Sequence, residues 1–350
     1  MPTNHPRPAN RRPRAGRTAD SAVPAAGPCS AVTAAGIAAA LVLLAACGSH
    51  SADAGSAPPG GRPAAAPAGS AGPGSTAVPD EDVVASVKAD PALTAELPAR
   101  IRSRGSIVLG TSRVVGTSGL PHGGQAPDGS TVGLDIDLRN AVAKVLGVTW
   151  DVQYGTFPTV IPGVQNGKYD VGQDNFGATK AREQVVDFAT YLDDGQSFLG
   201  AEDIAADKVT RLTDLCGYTV ATSPGSTFQQ LLTDGADECA AAGKKPYKVQ
   251  YFSDNAPIIL GLTNGKVDIS FGPTLSLRYE ARHIPHTKYL GQISTTPVGF
   301  VTGRHSPLAK ALSDAVNKLI ATGDYARIFA KWGVTGTGVT RSVVNPPTTF

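Results

Sequence analysis

The sequence predicts an α/β protein made of two doubly wound lobes. Three observations carry that reading. From Ser106 onward, short apolar runs of the kind parallel sheets bury alternate with amphipathic helix patterns. A helix followed by Asn-Gly-Lys-x-Asp occurs twice, at 166–170 and again at 264–268, so one structural unit is used twice. And 350 residues are enough for two domains of ~150 each.

The chain opens with a polar leader rich in Arg and Pro, residues 1–30, and then an apolar run, Ala31 to Ala46. That run is shorter than the ~20 residues a spanning helix needs. A basic flank, a short apolar core and small residues at its end describe an export signal over 1–46. Without it the chain holds 26 basic and 28 acidic residues, because five Arg and one Asp leave with the signal. No basic patch remains that would read nucleic acid. Leu44-Ala45-Ala46-Cys47-Gly48 is similar to a bacterial lipobox, which implies lipidation of Cys47 and anchoring on the extracytoplasmic face of the cell membrane. Residues 47–80 are almost all Ala, Gly, Ser and Pro and are expected to form a disordered tether. Cys29 goes with the signal, which leaves Cys216 and Cys239 as an even pair in an oxidising compartment, and a disulfide is expected. No His spacing around them fits a metal, and no cofactor is implied.

The folded part is expected to begin with a helix from Glu81 to Ile101, interrupted near Pro91. Ser106–Thr111 is the first buried strand. Leu138, Ala141, Val142, Val145 and Leu146 line one stripe of a helix closed by Gly147. Val148–Tyr154 is the second strand, and Phe157 opens a helix with Pro near its start that Gly167 ends. Tyr169–Gln173 is a third strand, and Val185–Phe188 another β-type run. The pattern returns with a strand to Thr222, a helix capped near Ser226, strands at Lys248–Phe252 and Lys266–Phe271, and a helix over 255–264 between them. Ser306-Pro307 then caps a long helix to Gly323, and Asp324–Trp332 makes a last one.

Between the third strand and Val185 lies the stretch that points to chemistry. Gly177 leaves room for a ligand to approach the backbone. Arg182, on the following turn, offers a planar, always-charged fork that grips a carboxylate in two places.

Over roughly residues 98–335 the chain resembles the polar amino-acid family of solute-binding proteins for ABC importers. The marks are Gly133-Leu-Asp-Ile-Asp-Leu138, Phe157-Pro-Thr-Val-Ile-Pro-Gly-Val164, Gly167-Lys-Tyr-Asp170, Thr179-Lys-Ala-Arg182, Gly225-Ser-Thr227, Gly265-Lys-Val-Asp268 and Gly323-Asp-Tyr325. The resemblance implies a periplasmic-binding-protein-like II fold, two doubly wound lobes on a two-strand hinge. Lobe 1 would hold 81–196 and 298–350 and lobe 2 would hold 197–297, with crossings near Gln196–Gly200 and Ile293–Val298. It implies a monomer that traps a small polar solute, an amino acid or derivative, and hands it to a membrane permease driven by an ATPase. Carried over by position, Arg182 clamps the solute carboxylate and Phe157 is its aromatic platform. Asn175, Gly177 and Gly272 line the cleft, and Gly225, Ser226 and Thr227 offer a helix start to an anion.

Two departures bear on the solute. Pro273 stands where many members carry the Asp that pairs an α-ammonium, and Ser112, Arg113 and Val115 replace acidic and aromatic positions. Either Asp174, Asp193, Asp194 or Glu202 supplies the missing acid, or the solute is not an ordinary α-amino acid. An enzyme similar to cyclohexadienyl dehydratase is one alternative; no Ser-His-Asp, HExxH or CxxC pattern supports it, and the motif segments lining the cleft hold no His. A ligand sensor is the other.

Overall fold

A computed structural model describes residues 78–348; the export signal, Cys47 and the tether as far as residue 77 lie outside the described residues. In order, the elements are α1 (Pro91–Glu96), α2 (Ala99–Arg104), β1 (Ser106–Ser112), β2 (Gly124–Gln125), β3 (Thr131–Val132), α3 (Leu134–Leu146), β4 (Thr149–Gly155), α4 (Phe157–Gln165), β5 (Val171–Gly172), α5 (Lys180–Glu183) and β6 (Val186–Ala201). There follow β7 (Thr219–Thr222), α6 (Thr227–Asp234), α7 (Glu238–Ala241), β8 (Lys248–Tyr251), α8 (Asn255–Thr263), β9 (Ile269–Pro273), α9 (Thr274–His283), β10 (Thr287–Gly303), α10 (Pro307–Thr322) and α11 (Asp324–Lys331).

Two long strands organise everything else. β6 and β10 pair antiparallel along nearly their whole length, from Val186↔Gly303 to Ala201↔Thr287. At one end β10 takes β5 on its free edge, and β1 and β4 continue parallel beyond it. At the other end β6 takes β9, followed by β7 and β8 in parallel. The order β4-β1-β5-β10-β6-β9-β7-β8 is therefore two α/β lobes sharing the same pair of strands. Each lobe buries both faces of its sheet. On β6, Phe198 packs with Leu215, Leu232 and Phe271, while its neighbour Leu199, pointing to the opposite face, packs with Ile258, Leu262 and Leu277. In the first lobe Leu109 meets α3 and α10, and Val160, Tyr169 and Phe188 fill the other face.

The repeated Asn-Gly-Lys-x-Asp has a physical cause. In both copies Asn Oδ1 accepts the amide of the Lys two residues on (Asn166 to Lys168, 3.1 Å; Asn264 to Lys266, 3.2 Å). In both, the Asp carboxylate accepts an amide from the central strand of its own lobe, Val108 for Asp170 (3.0 Å) and Thr219 for Asp268 (2.6 Å). The motif is the staple that returns each crossover helix to its sheet.

Several expectations are revised. Of 81–101 only α1 and α2 are helical; Asp82 Oδ1 accepts the amides of Val84 and Ala85 and closes a turn instead, with Val83, Val84 and Val87 still buried. The sheet is mixed rather than purely parallel, because β6 and β10 run against their neighbours. Val185–Phe188 is only the start of a sixteen-residue strand. Gln196–Gly200, near which the first crossing is expected, pairs with β9 from Gln196↔Pro273 to Gly200↔Ile269. Helix α9 was not foreseen, because it starts directly at the end of β9 with no turn residue between them. Beyond α11 the chain runs back along β6, with Gly338 opposite Leu192 and Val344 opposite Ala189. Cys216 is bridged to Cys239 in α7, with Cα atoms 5.6 Å apart. Among the described residues, no helix is long and apolar enough to cross a membrane.

Candidate functional site

A cavity of about 500 Å³ opens where the lobes face each other, within the range of small-molecule sites. Phe157, Asn175, Gly177, Arg182, Ser226, Thr227 and Gly272 all border it. Gly225 does not, but its carbonyl is held by a residue that does.

That residue is Arg182. Thr179 caps α5 by accepting the Arg182 amide at 3.2 Å, which fixes where the side chain leaves the turn. One guanidinium nitrogen donates to the Gly177 carbonyl and the other to the Gly225 carbonyl, both at 2.8 Å. The first is in its own lobe and the second lies across the cleft. Its charge sits 5.9 Å from the Phe157 ring centre and 5.6 Å from that of Phe176, and those rings tilt against each other at 4.9 Å. Burial lowers the guanidinium to about 10, and no nearby carboxylate acts on it. The result is a half-buried cation that keeps further donors and, among the described residues, has no anion beside it.

The other expected residues surround that point. Ser226 caps α6 by accepting the Gln229 amide at 3.1 Å, leaving the helix's first-turn N–H groups toward the cavity. Asn175 is left-handed, at φ 50°, and its Nδ2 donates to Asp194 Oδ2 at 3.1 Å, so its carbonyl oxygen remains buried and unpartnered. Gly177 lies against β10, opposite Val298. A methyl on Gly177 would sit 2.9 Å from Thr296 Cγ2 and 3.4 Å from Thr227 Cγ2, the second of which belongs to the facing lobe. Two further contacts span the cleft, Ser276 Oγ to the Gly119 carbonyl at 3.3 Å and Asn255 Nδ2 to the Ser118 carbonyl at 3.5 Å.

Of the four acids named as replacements at Pro273, only Asp174 borders the cavity; burial raises its carboxyl to about 6, against two bonds from Ser112. Asp194 is buried on the crossing strand and already accepts from His122 (2.9 Å), Asn175, the Gly195 amide (2.8 Å) and the Leu275 amide (3.2 Å). Asp193 does not reach the cavity, and Glu202 pairs with exposed His286 at 3.0 Å at the far end of β6.

Sequence reasoning missed three groups on the cavity wall. His122, from the loop before α3 and outside the motif segments, has Nε2 at 2.9 Å from Asp194 and Nδ1 at 3.6 Å from Asp135. Burial opposes its charge, yet the two carboxylates outweigh burial and raise it to about 10, so it is a buried cation. Asp135 belongs to a quoted motif, but nothing local marks it as facing a cleft. Glu280, in the unforeseen α9, is 0% exposed and also borders the cavity.

A family model described as bacterial extracellular solute-binding proteins, family 3, matches residues 114–335. The arginine-binding protein ArgT of Corynebacterium glutamicum is 27% identical over 250 residues, covering 70% of this chain and 79% of that protein. Among solved structures, an ancestral arginine-binding protein bound to arginine aligns with TM-score 0.58 and 29% identity, over 65% of this chain and 98% of the other. An ancestral amino acid-binding protein, described as a precursor of cyclohexadienyl dehydratase, aligns with TM-score 0.59 and 26% identity over 67% and 97%.

Proposed function

Because the chain belongs to the family 3 bacterial extracellular solute-binding proteins, we propose that it captures an amino acid, gripped by its carboxylate at Arg182, between lobes that close around it. The observation that carries this reading is the half-buried guanidinium with no anion of its own among the described residues, held at the seam by carbonyls from both lobes. A carboxylate would take its free donors in two places and meet the first-turn amides of α6. Phe157 would then be the wall against which the solute rests, and Asn175 Oδ1, two residues from Gly177, an acceptor for the α-ammonium. Gly177 and Gly272 give the solute close approach to the backbone. Closure follows if the solute favours the closed form over the open one. The arginine-binding relatives support an amino acid as the solute.

In this proposal the protein is a monomeric lipoprotein, anchored through Cys47 outside the cytoplasm, that delivers its cargo to an ABC permease and its ATPase. The test is a thermal-shift panel of amino acids, betaines, opines and small organic acids on the folded chain. At least one amino acid should raise the melting temperature with saturable dependence; a panel in which only non-carboxylates shift it refutes the carboxylate grip.

One observation favours a second reading. Glu280 is an acid held largely protonated near neutral pH beside the cavity, as a general acid would be, and one similar structure is described as the precursor of a dehydratase. Mass analysis of each hit after incubation decides it: recovered solute supports the receptor and product supports the enzyme.

A further inference from the structure

Among the described residues, four buried side-chain oxygens around the cavity have no hydrogen-bond partner: Asp135 Oδ1, Gln173 Oε1, Asn175 Oδ1 and Glu280 Oε2. The amides are fixed in orientation, because Gln173 Nε2 donates to the Asp135 carbonyl at 3.1 Å and Asn175 Nδ2 to Asp194. The Tyr191 hydroxyl, close to Gln173 and Asp135, likewise has no partner among the described residues. Among the described residues no protein group answers Asn175 Oδ1 or Glu280 Oε2. A buried acceptor left unpaired is unfavourable, so Asn175 Oδ1, and Glu280 once it gives up its proton, call for N–H groups from a solute.

Glu280 is the extreme case. Its Oε1 accepts from Asn255 Nδ2 at 2.7 Å, and the same amide reaches the Ser118 carbonyl from the other lobe. Burial drives its carboxyl up to about 8 with only the Asn255 bond opposing, and no Lys, Arg or His acts on it. Its surroundings share no residue with those of Arg182, which are Gly177, Gly225, Phe157 and Phe176. An α-ammonium is one carbon away from its carboxylate and so falls in the Arg182 cluster, where Asn175 waits. A cation that meets Glu280 is carried by a different part of the solute.

We propose that Glu280, framed by Asn255 and the Ser118 carbonyl, is the subsite for a side-chain cation, a guanidinium or ammonium remote from the α-carbon. This rests on the amino-acid reading above and narrows it to basic amino acids.

The experiment is calorimetric titration of the folded chain with L-arginine and L-citrulline, which match in length but differ in the charge of the terminal group. The wild type should prefer arginine, and Glu280→Gln should weaken arginine about 30-fold or more while leaving citrulline within about threefold. A second readout is the proton: near pH 7 the acid is largely protonated when the site is empty, so arginine capture expels nearly one proton, seen as a buffer-dependent enthalpy that Glu280→Gln abolishes. At pH 6 glutamine mimics the protonated acid, so the empty variant should melt with the wild type. Equal loss for both probes, unchanged arginine affinity or a lower melting temperature of the empty variant overturns the subsite. A wild type that binds neutral amino acids and refuses arginine overturns it too, with the amino-acid reading intact. A folded wild type that binds no amino acid at all overturns that reading instead.

Discussion

Replacing Arg182 by Ala separates a binding role from a structural one, because the structure sets opposite signs on the two. In the empty protein the side chain makes two hydrogen bonds to carbonyls, worth about 1.5–3 kcal/mol each for a charged donor. Contacts to two phenyl rings add about 0.5–1 kcal/mol each. Against these stands the cost of partly desolvating a guanidinium without a counter-charge, about 3–6 kcal/mol for a half-buried group. The terms nearly cancel, and the empty variant should melt within about 4 °C of the wild type. With solute bound the cancellation disappears, since truncating one partner of a buried charge pair costs about 2–5 kcal/mol. Loss of the Gly225 bond also removes a tie between the closed lobes. Affinity should therefore fall about 100- to 1,000-fold. Arg182→Lys, which restores a point charge without the fork, should recover part of it. The assay is calorimetry with the best solute of the panel, alongside calorimetric melting of the empty protein. An empty-state drop of about 10 °C or more, or an affinity within about threefold of the wild type, would refute the reasoning.

Three further outcomes are expected. Gly177→Val places bulk between Thr296 and Thr227, so it should hold the lobes apart and weaken solute binding about tenfold or more with little effect on the empty melting temperature; a titration checks it. Reducing the Cys216–Cys239 bridge, at a sequence separation of 23, should destabilise by about 3 kcal/mol and lower the melting temperature by about 6–12 °C, measured with and without reductant. Stability of the empty protein should fall as pH rises. His122, raised from 6.5 to about 10, contributes stability that is complete below 6.5 and lost as pH climbs through 10, and Glu280, raised from 4.5 to about 8, adds a cost that grows as pH rises from 4.5 and is complete above 8. Each group gives a slope of up to about 1.4 kcal/mol per pH unit, so urea unfolding at pH 6 and pH 9 should differ, and His122→Gln should flatten the upper part of the curve.

What the sequence disclosed and what it withheld follow one division. Periodicity and turn residues are local, so α3, α4, α10 and the strand starts were legible, as was the Asn-Gly-Lys-x-Asp staple, although its hydrogen bonds to Val108 and Thr219 are not local at all. Arg182 was legible because Thr179, which caps its turn, sits three residues away. The long crossing strands were not, since sixteen residues that are buried by different neighbours at each end carry no single period. Glu280 was invisible for a related reason: its place at the cavity depends on Asn255 and Ser118, 25 and 162 positions away in the chain. Two of the acids offered for the missing partner, Asp193 and Glu202, do not border the cavity, and Glu202 lies past the far end of β6, paired with exposed His286.

The run of chain that returns along β6 after α11 has a bearing on how these molecules behave in a crowd. In the first lobe β6 is paired with β10 on one side only, and β9 does not extend that far. The returning segment fills the vacancy: the Thr190 amide donates to the Val343 carbonyl at 3.1 Å, and Phe188 exchanges bonds with Asn345. Stripped of it, the strand would present a row of unsatisfied amides and carbonyls, a template on which a second copy could lay its own strand. The segment after α11 thus acts as a selvedge, covering an edge of β6 that would otherwise be open to pairing.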